Sequence, residues 1–380
     1  MNMFTKWVAA WGNATSITDR KEAVYAKNIT LRYPIKMCFS GSKLRFRFSN
    51  LTGTEPVTIS KAVVANQQEK YQPVAITFNS ALSTQIPAGQ EIQSDEIPFL
   101  VNAQDTIEVS MYFHNYTQMN AGTLITGPLS SGKYSYGDFA STKELPPDLT
   151  RNTNWFYFLN TIDIFTEEKN RALICYGDSI TAQSWPDYLA IRCAEKGFNN
   201  VSIIRRAVSG TRILRQYDCI TYQAYGLKGQ TRFPIEMNVC GARDVIIQHG
   251  INDIIHPVGE EVNRFRPWSD MPTFEDLKNG VQNIYLSHLK EKSLIPWSGT
   301  LLPIYGWRTY ADFREELRCR FNDWLRSSSD FAGCVDFDKA VLDPEKPEAF
   351  KPGFDSGDHL HPSEIAYKAM ADAVPETLLK

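Results

Sequence analysis

The chain has 380 residues, more than one hydrophobic core usually organises, so two domains are the expectation. Its 43% hydrophobic and 12% aromatic residues can bury a sizeable core, which excludes a disordered chain. With 40 basic residues against 43 acidic ones and a net charge of -3, it lacks the basic excess of a nucleic-acid-binding surface.

The opening stretch, "MNMFTKWVAAWGNATS", has no apolar run of signal-peptide length, and nothing later approaches the length of a membrane span. A cytoplasmic protein with no membrane partner is expected, or a secreted one if a leader has been trimmed. Up to about residue 165 the pattern has period two. In "KLRFRF" Leu44, Phe46 and Phe48 point one way and Lys43, Arg45 and Arg47 the other, and "IEVSMYF" repeats this with Ile107, Val109, Met111 and Phe113. Turn signals such as "LTGTEP" and "IPAGQE" separate these half-buried strands, so residues 1–168 read as an antiparallel β-sandwich, jelly-roll-like. The Gly-, Ser- and Pro-rich stretch 124–152 reads as a long loop.

From residue 169 to 380 the rhythm changes. Apolar runs "RALICY", "VSIIRR", "DVIIQ", "GTLLPI" and "GCVDF" alternate with segments long enough for crossover helices. A helix over about 274–290 should open with a capping box from Thr273 to Asp276 and bury Leu277, Val281, Ile284 and His288. A later one should bury Phe313, Leu317, Phe321, Trp324 and Leu325. The alternation implies an α/β domain in three layers, α/β/α, around a parallel sheet. Cysteines 38, 175, 193, 219, 240, 319 and 334 form no CxxC pair and are odd in number, so they read as buried thiols in a reducing compartment rather than a disulfide framework or zinc site.

In an open parallel sheet, ligands bind outside the carboxyl ends of the strands. Three polar stretches fall there: "GDS" ending in Ser179, Ser209-Gly210, and "HGIND" with Asn252 and Asp253. Singly, each has a structural explanation, Ser179 as a helix cap, Gly210 as a turn glycine, Asn252 as loop or cap. Together on one edge they point to a site. Near the C-terminus, in "FDSGDHLHP", Asp358 and His361 stand three residues apart before a helix opened by Pro362. One short segment can thus carry a base and the carboxylate that orients it. A serine hydroxyl needs such a base, and histidine's ordinary pKa suits the task. Asp178 and Asp253 read as structural, the first bonded to local backbone N–H groups and the second capping a following turn. His249 and His256 could line the pocket or be satisfied core histidines.

These residues resemble the GDSL or SGNH hydrolases, whose four blocks are matched in order by Ser179 in "GDSIT", Gly210 in "AVSGTRIL", Asn252 in "HGIND" and His361 in "DHLHP". The first half is similar to the β-domain of one esterase branch of that family, acetyl-xylan-esterase-like, through "WVAAWGNA", "KLRFRFSNLTGTEPVTI" and "WFYFLNTIDI". The resemblance implies Ser179 as nucleophile, His361 as general base, Asp358 as its partner, and the Ser179 and Gly210 backbone N–H groups with the Asn252 amide as oxyanion donors. It implies no cofactor and no metal, and a short acyl ester, such as acetyl on a carbohydrate, as substrate. Thr181 breaks the "GxSxG" elbow of the α/β-hydrolases, so the same chemistry is expected on another fold. Two rivals remain: a metallohydrolase using Asp355, Asp358, His359 and His361, and a carbohydrate-binding protein with a silent hydrolase half.

Overall fold

The computed structural model describes residues 4–17, 24–67, 71–217, 219 and 224–380. The chain divides into two compact units: residues 1–172, 193–204 and 239–241 form one, and 173–192, 205–238 and 242–380 the other.

The strands between Phe4 and Glu167 pair antiparallel. One sheet is built on Gly41–Ser49, which pairs with Leu159–Glu167, Glu91–Gln93 and Ile97–Val101. Another, of six strands, is centred on Ile29–Lys36 and Thr106–Phe113. Leu44, Phe46 and Phe48 are fully buried, as are Ile107, Val109, Met111 and Phe113, so the alternation read from sequence gives the two inner faces. The stretch 124–152 is not wholly a loop. Gly132–Tyr136 pairs with Ile29–Lys36 on one side and Thr150–Thr153 on the other. Gly132 permits this, since a Cβ there would lie 2.6 Å from the Tyr33 ring. Its polar residues hid a strand whose Gly–Ser–Tyr composition resembles loop composition.

The later part of the chain, from Arg171 on, forms a parallel sheet whose spatial order is Val201–Ala207, Arg171–Gly177, Ala242–Gln248, Ile295–Gly299 and Cys334–Val335. In chain order that is 2-1-3-4-5, so the direction of strand succession reverses between the first and third strands, where a crevice opens at the carboxyl ends. Arg171–Gly177 is buried along its whole length, the sign of a strand covered on both faces. Helices Gly229–Glu236, Phe274–Gly280 with its continuation, and Asp312–Ser327 pack as one group, and Trp185–Glu195, Phe337–Val341 and Glu364–Ala373 as another, through contacts such as Trp185 on Phe337 and Arg192 on the Ala371 carbonyl, in keeping with α/β/α layering. The fourth strand is Ile295–Gly299, upstream of the expected "GTLLPI"; Leu301, Leu302 and Ile304 are buried in the segment after it.

Two helices bury other faces than periodicity suggested. The Thr273–Asp276 capping box is present, but residues Val281–Leu286 wind as a π-helix before helix Ser287–Glu291 resumes. The extra residue per turn rotates the buried face, so Tyr285 and Leu289 enter the core in place of Ile284 and His288. On Asp312–Ser327 the buried row is Arg314, Arg318, Phe321, Asn322 and Leu325, while Phe313 is 49% exposed. Buried arginines with polar partners are invisible to a hydrophobic count. Among the cysteines only Cys175 and Cys193 are buried; Cys319 is exposed and the others lie between, each a thiol outside any disulfide. Among the described residues no helix is long and apolar enough to cross a membrane.

Candidate active site

The first strand ends at Gly177, where the chain has no room for a side chain: a Cβ would lie 2.3 Å from Thr181 Oγ1 and 2.6 Å from the Gln248 carbonyl oxygen. Asp178 then caps the short helix Ser179–Ala182 by accepting from the Ile180 N–H at 3.1 Å, the local role expected of it. Burial pushes the Asp178 carboxyl up to about 7. Ser179 is therefore the first helical residue, with a backbone N–H that has no intrahelical partner.

The C-terminal segment reaches the same point. Asp358 Oδ1 accepts from the Leu360 and His361 N–H groups at 2.9 and 2.8 Å, which curls the chain into a turn. That turn sets His361 Nδ1 2.6 Å from Asp358 Oδ2 and His361 Nε2 2.8 Å from Ser179 Oγ. An ionised carboxylate only accepts, so Nδ1 carries the proton and Nε2 is left to accept from the Ser179 hydroxyl. Desolvation would raise Asp358, but the hydrogen bonds from the His361 ring and from the His361 and Leu360 N–H groups outweigh it and hold the carboxyl well below its usual range. His359 points elsewhere: its Nδ1 is 2.6 Å from Asp355 Oδ2, and its ring packs on Gly306. The four residues of the metal rival thus separate into two Asp–His pairs. Among the described residues no three His, Cys, Asp or Glu side chains are grouped as a metal site. Pro362 precedes the helix rather than opening it; Ser363 is the cap and Glu364 the first helical residue.

Gly210 adopts φ +78°, and a Cβ there would lie 2.3 Å from the Tyr225 ring, so both conformation and space require glycine. Asn252 sits in helix Ile251–Ile255, entered through Gly250 at φ +128°. Its Nδ2 donates to the Thr211 carbonyl at 3.1 Å, which leaves the second amide hydrogen for the cavity. Asp253 does not cap a following turn. It reaches back, accepting from the Ile213 N–H at 2.7 Å and the Leu214 N–H at 3.0 Å, and so clamps the loop that carries Gly210. Its burial pushes it up to about 6.

Of the two histidines left open, His249 is the satisfied core residue. It lies between Thr211 (Nε2 to the carbonyl, 3.1 Å) and the Tyr285 hydroxyl (Nδ1, 2.8 Å), and burial lowers it to about 3. His256 lines the cavity, with Tyr225 stacked on it at 5.3 Å between ring centroids. Ser179, Gly210, Asn252, His361, Trp307 and Arg308 share this cavity of about 300 Å³. Sequence reasoning missed the residues that hold the pieces in place. Arg232, buried, donates to the Gly177 carbonyl at 2.8 Å and stacks on Tyr176. Arg314 bonds the carbonyls of Ile254 and Pro257. Glu364 accepts from Ser184 at 2.9 Å and Tyr188 at 2.7 Å, tying the His361 segment to the Ser179 segment. Only the position of Glu364, just beyond "DHLHPS", gave any sequence signal.

A parallel α/β/α sheet with these groups at its carboxyl edge defines a carboxylic ester hydrolase. Residues 175–369 match the GDSL-like Lipase/Acylhydrolase family, and the chain belongs to that family. Comparison with curated proteins gives no match. Similar solved structures include an acetylxylan esterase from Geobacillus stearothermophilus (14% identity, 54% of this chain and 94% of that one, TM-score 0.39). A carbohydrate esterase family 2 enzyme with a carbohydrate-binding domain from Corynascus thermopiles (Myceliophthora fergusii) is 13% identical over 94% of this chain and 98% of that one, TM-score 0.39. A family two carbohydrate esterase from Cellvibrio japonicus is 10% identical over 98% and 96%, TM-score 0.37.

Proposed function

We propose that this esterase is a serine enzyme that removes short acyl groups, acetyl foremost, from carbohydrate through an acyl-enzyme, with residues 169–380 as the catalytic domain and 1–168 as an accessory β-domain. One observation carries the reading: the continuous relay from Asp358 to His361 at 2.6 Å and from His361 to Ser179 at 2.8 Å. Ser179 Oγ attacks the ester carbonyl carbon while its proton passes to His361 Nε2, and Asp358 stabilises the resulting imidazolium. The charge on the carbonyl oxygen is met by the Ser179 and Gly210 N–H groups and the Asn252 amide. Collapse expels the alcohol, which takes the proton from His361. Water, deprotonated by the same base, then releases the acid and restores Ser179.

The small cavity supports a small acyl group, and its mix of indole, phenol and amide groups suits a hydroxylated alcohol. The split of Asp355–His359 from Asp358–His361 weighs against the metal rival, and the intact relay against a silent binding protein. The test is a series of p-nitrophenyl esters of rising acyl length, run on wild type and Ser179→Ala. Turnover should fall beyond about four carbons, because the same cavity must seat part of the alcohol beside the acyl group, and should vanish in the variant. Better turnover of long chains would make the protein a lipase, and turnover by Ser179→Ala would remove the serine mechanism.

A further inference from the structure

We infer that the alcohol released by this enzyme carries a carboxylate and that Arg308 binds it, so that the substrate class is an O-acylated acidic saccharide such as an acetylated uronic acid. The inference rests on the serine esterase reading and narrows it. Among the described residues lining the cavity there is no Asp or Glu, and Arg308 is the single side chain with a fixed charge. The other arginines around the site are committed: Arg212 to Asp270 at 3.0 Å, Arg266 to the His256 carbonyl at 2.5 Å, Arg314 to two further carbonyls. Arg308 is exposed, and among the described residues it has neither an acidic partner nor a hydrogen bond.

Arg308 is nevertheless held. Its guanidinium lies 4.6 Å from the centroid of the Trp307 ring, which serves as a plate beneath it. The loop is pinned on one side by the Thr309 hydroxyl, which donates to the Ile255 carbonyl at 2.9 Å at the end of the Asn252 helix. On the other side Gly306, at φ +92°, leaves room for the His359 ring, which a Cβ would meet at 2.8 Å. The loop that carries the cation thus lies between the two segments that carry Asn252 and His361, and as an exposed member of a lining whose Asn252 is buried, Arg308 is placed to meet the leaving alcohol rather than the acyl group. Two more polar atoms of the same lining, Trp307 Nε1 and His256 Nδ1, are buried without partners. Burial, with Arg212, Arg266 and Arg308 adding to it, keeps His256 neutral, so it offers a hydrogen bond and no second charge. One guanidinium with no second cation matches one carboxylate; its planar fork pairs the two oxygens.

The test compares two mono-O-acetylated methyl glycosides, a glucuronoside and the corresponding neutral glucoside, on wild type, Arg308→Lys and Arg308→Gln at low ionic strength. Wild type should favour the acidic sugar by roughly tenfold or more in kcat/KM, chiefly through KM, as hydrogen bonds to a charged group allow. Added salt should shrink that ratio, Arg308→Lys should keep part of it, and Arg308→Gln should bring it near one. Equal rates on the two sugars in wild type, or a preference that survives in Arg308→Gln, would overturn the inference while leaving the esterase reading standing. Turnover that persists in Ser179→Ala would sink both.

Discussion

Asp253→Asn separates what this carboxylate costs the fold from what it does for the site. Asp253 is 2% exposed and titrates at about 6 because burial disfavours its charge. In the unfolded chain an aspartate titrates at about 3.9, so the native state holds the proton more tightly. This group's contribution to stability is therefore greatest at low pH, declines as pH rises from the unfolded value through the folded one, and is flat above. Each pH unit between the two values is worth about 1.4 kcal/mol, so wild type gives up roughly 2–3 kcal/mol through this group between about pH 4 and about pH 8. Asparagine cannot ionise, so relative to wild type the variant should gain that amount over the same interval. Activity should move the other way. The amide offers one acceptor where the carboxylate offers two, so either the Ile213 or the Leu214 N–H is left facing an NH₂ group, and the loop behind Gly210 loosens. We expect kcat on p-nitrophenyl acetate to drop about tenfold, the cost of one misplaced oxyanion donor being at least that. The assay is urea unfolding of both proteins at the two pH values, following the transition that takes activity with it, beside kcat at the higher pH. Parallel stability curves would refute the buried acid, and an unchanged kcat would refute the clamp.

Asn252→Ala should lower kcat by roughly 10²- to 10³-fold with little change in KM, because its free amide hydrogen matters only once charge develops on the carbonyl oxygen; a near-wild-type rate would take Asn252 out of the mechanism. His361→Ala should be close to inactive, whereas His359→Ala should keep most of its kcat and lose mainly in KM, since His359 packs against the Gly306 loop rather than reaching Ser179. Equal, severe losses in both, with inhibition by a chelator, would favour the metal rival.

Period-two and strand-helix rhythms were legible because backbone geometry forces them: Leu44, Phe46 and Phe48 can share a face only in a strand. The candidate site was legible for a related reason. Serine after a strand-ending glycine, glycine at φ +78° and Asp–x–x–His are answers to local backbone demands, so they leave local traces. The hidden features act across the fold. The π-turn that brings Tyr285 to His249 depends on packing, not on the residues it contains. The buried Arg232, Arg314 and Arg318 look like surface residues in a sequence, because the backbone carbonyls of Gly177, Ile254 and Leu301 that they bond lie far from them in the chain. Asp253 reads as a forward cap because its neighbours along the chain are visible in a sequence, whereas the loop that folds back over it is not.

The central claim is that Ser179 becomes covalently bound during turnover, and an organophosphonate tests it directly. Full-length protein inactivated by such a reagent is digested and the labelled peptide identified by mass spectrometry. We predict one label per chain, on Ser179, appearing in step with the loss of activity and strongly slowed in His361→Ala, which lacks the base. Complete inactivation with the label on another residue, or full activity with Ser179 labelled, would contradict the account.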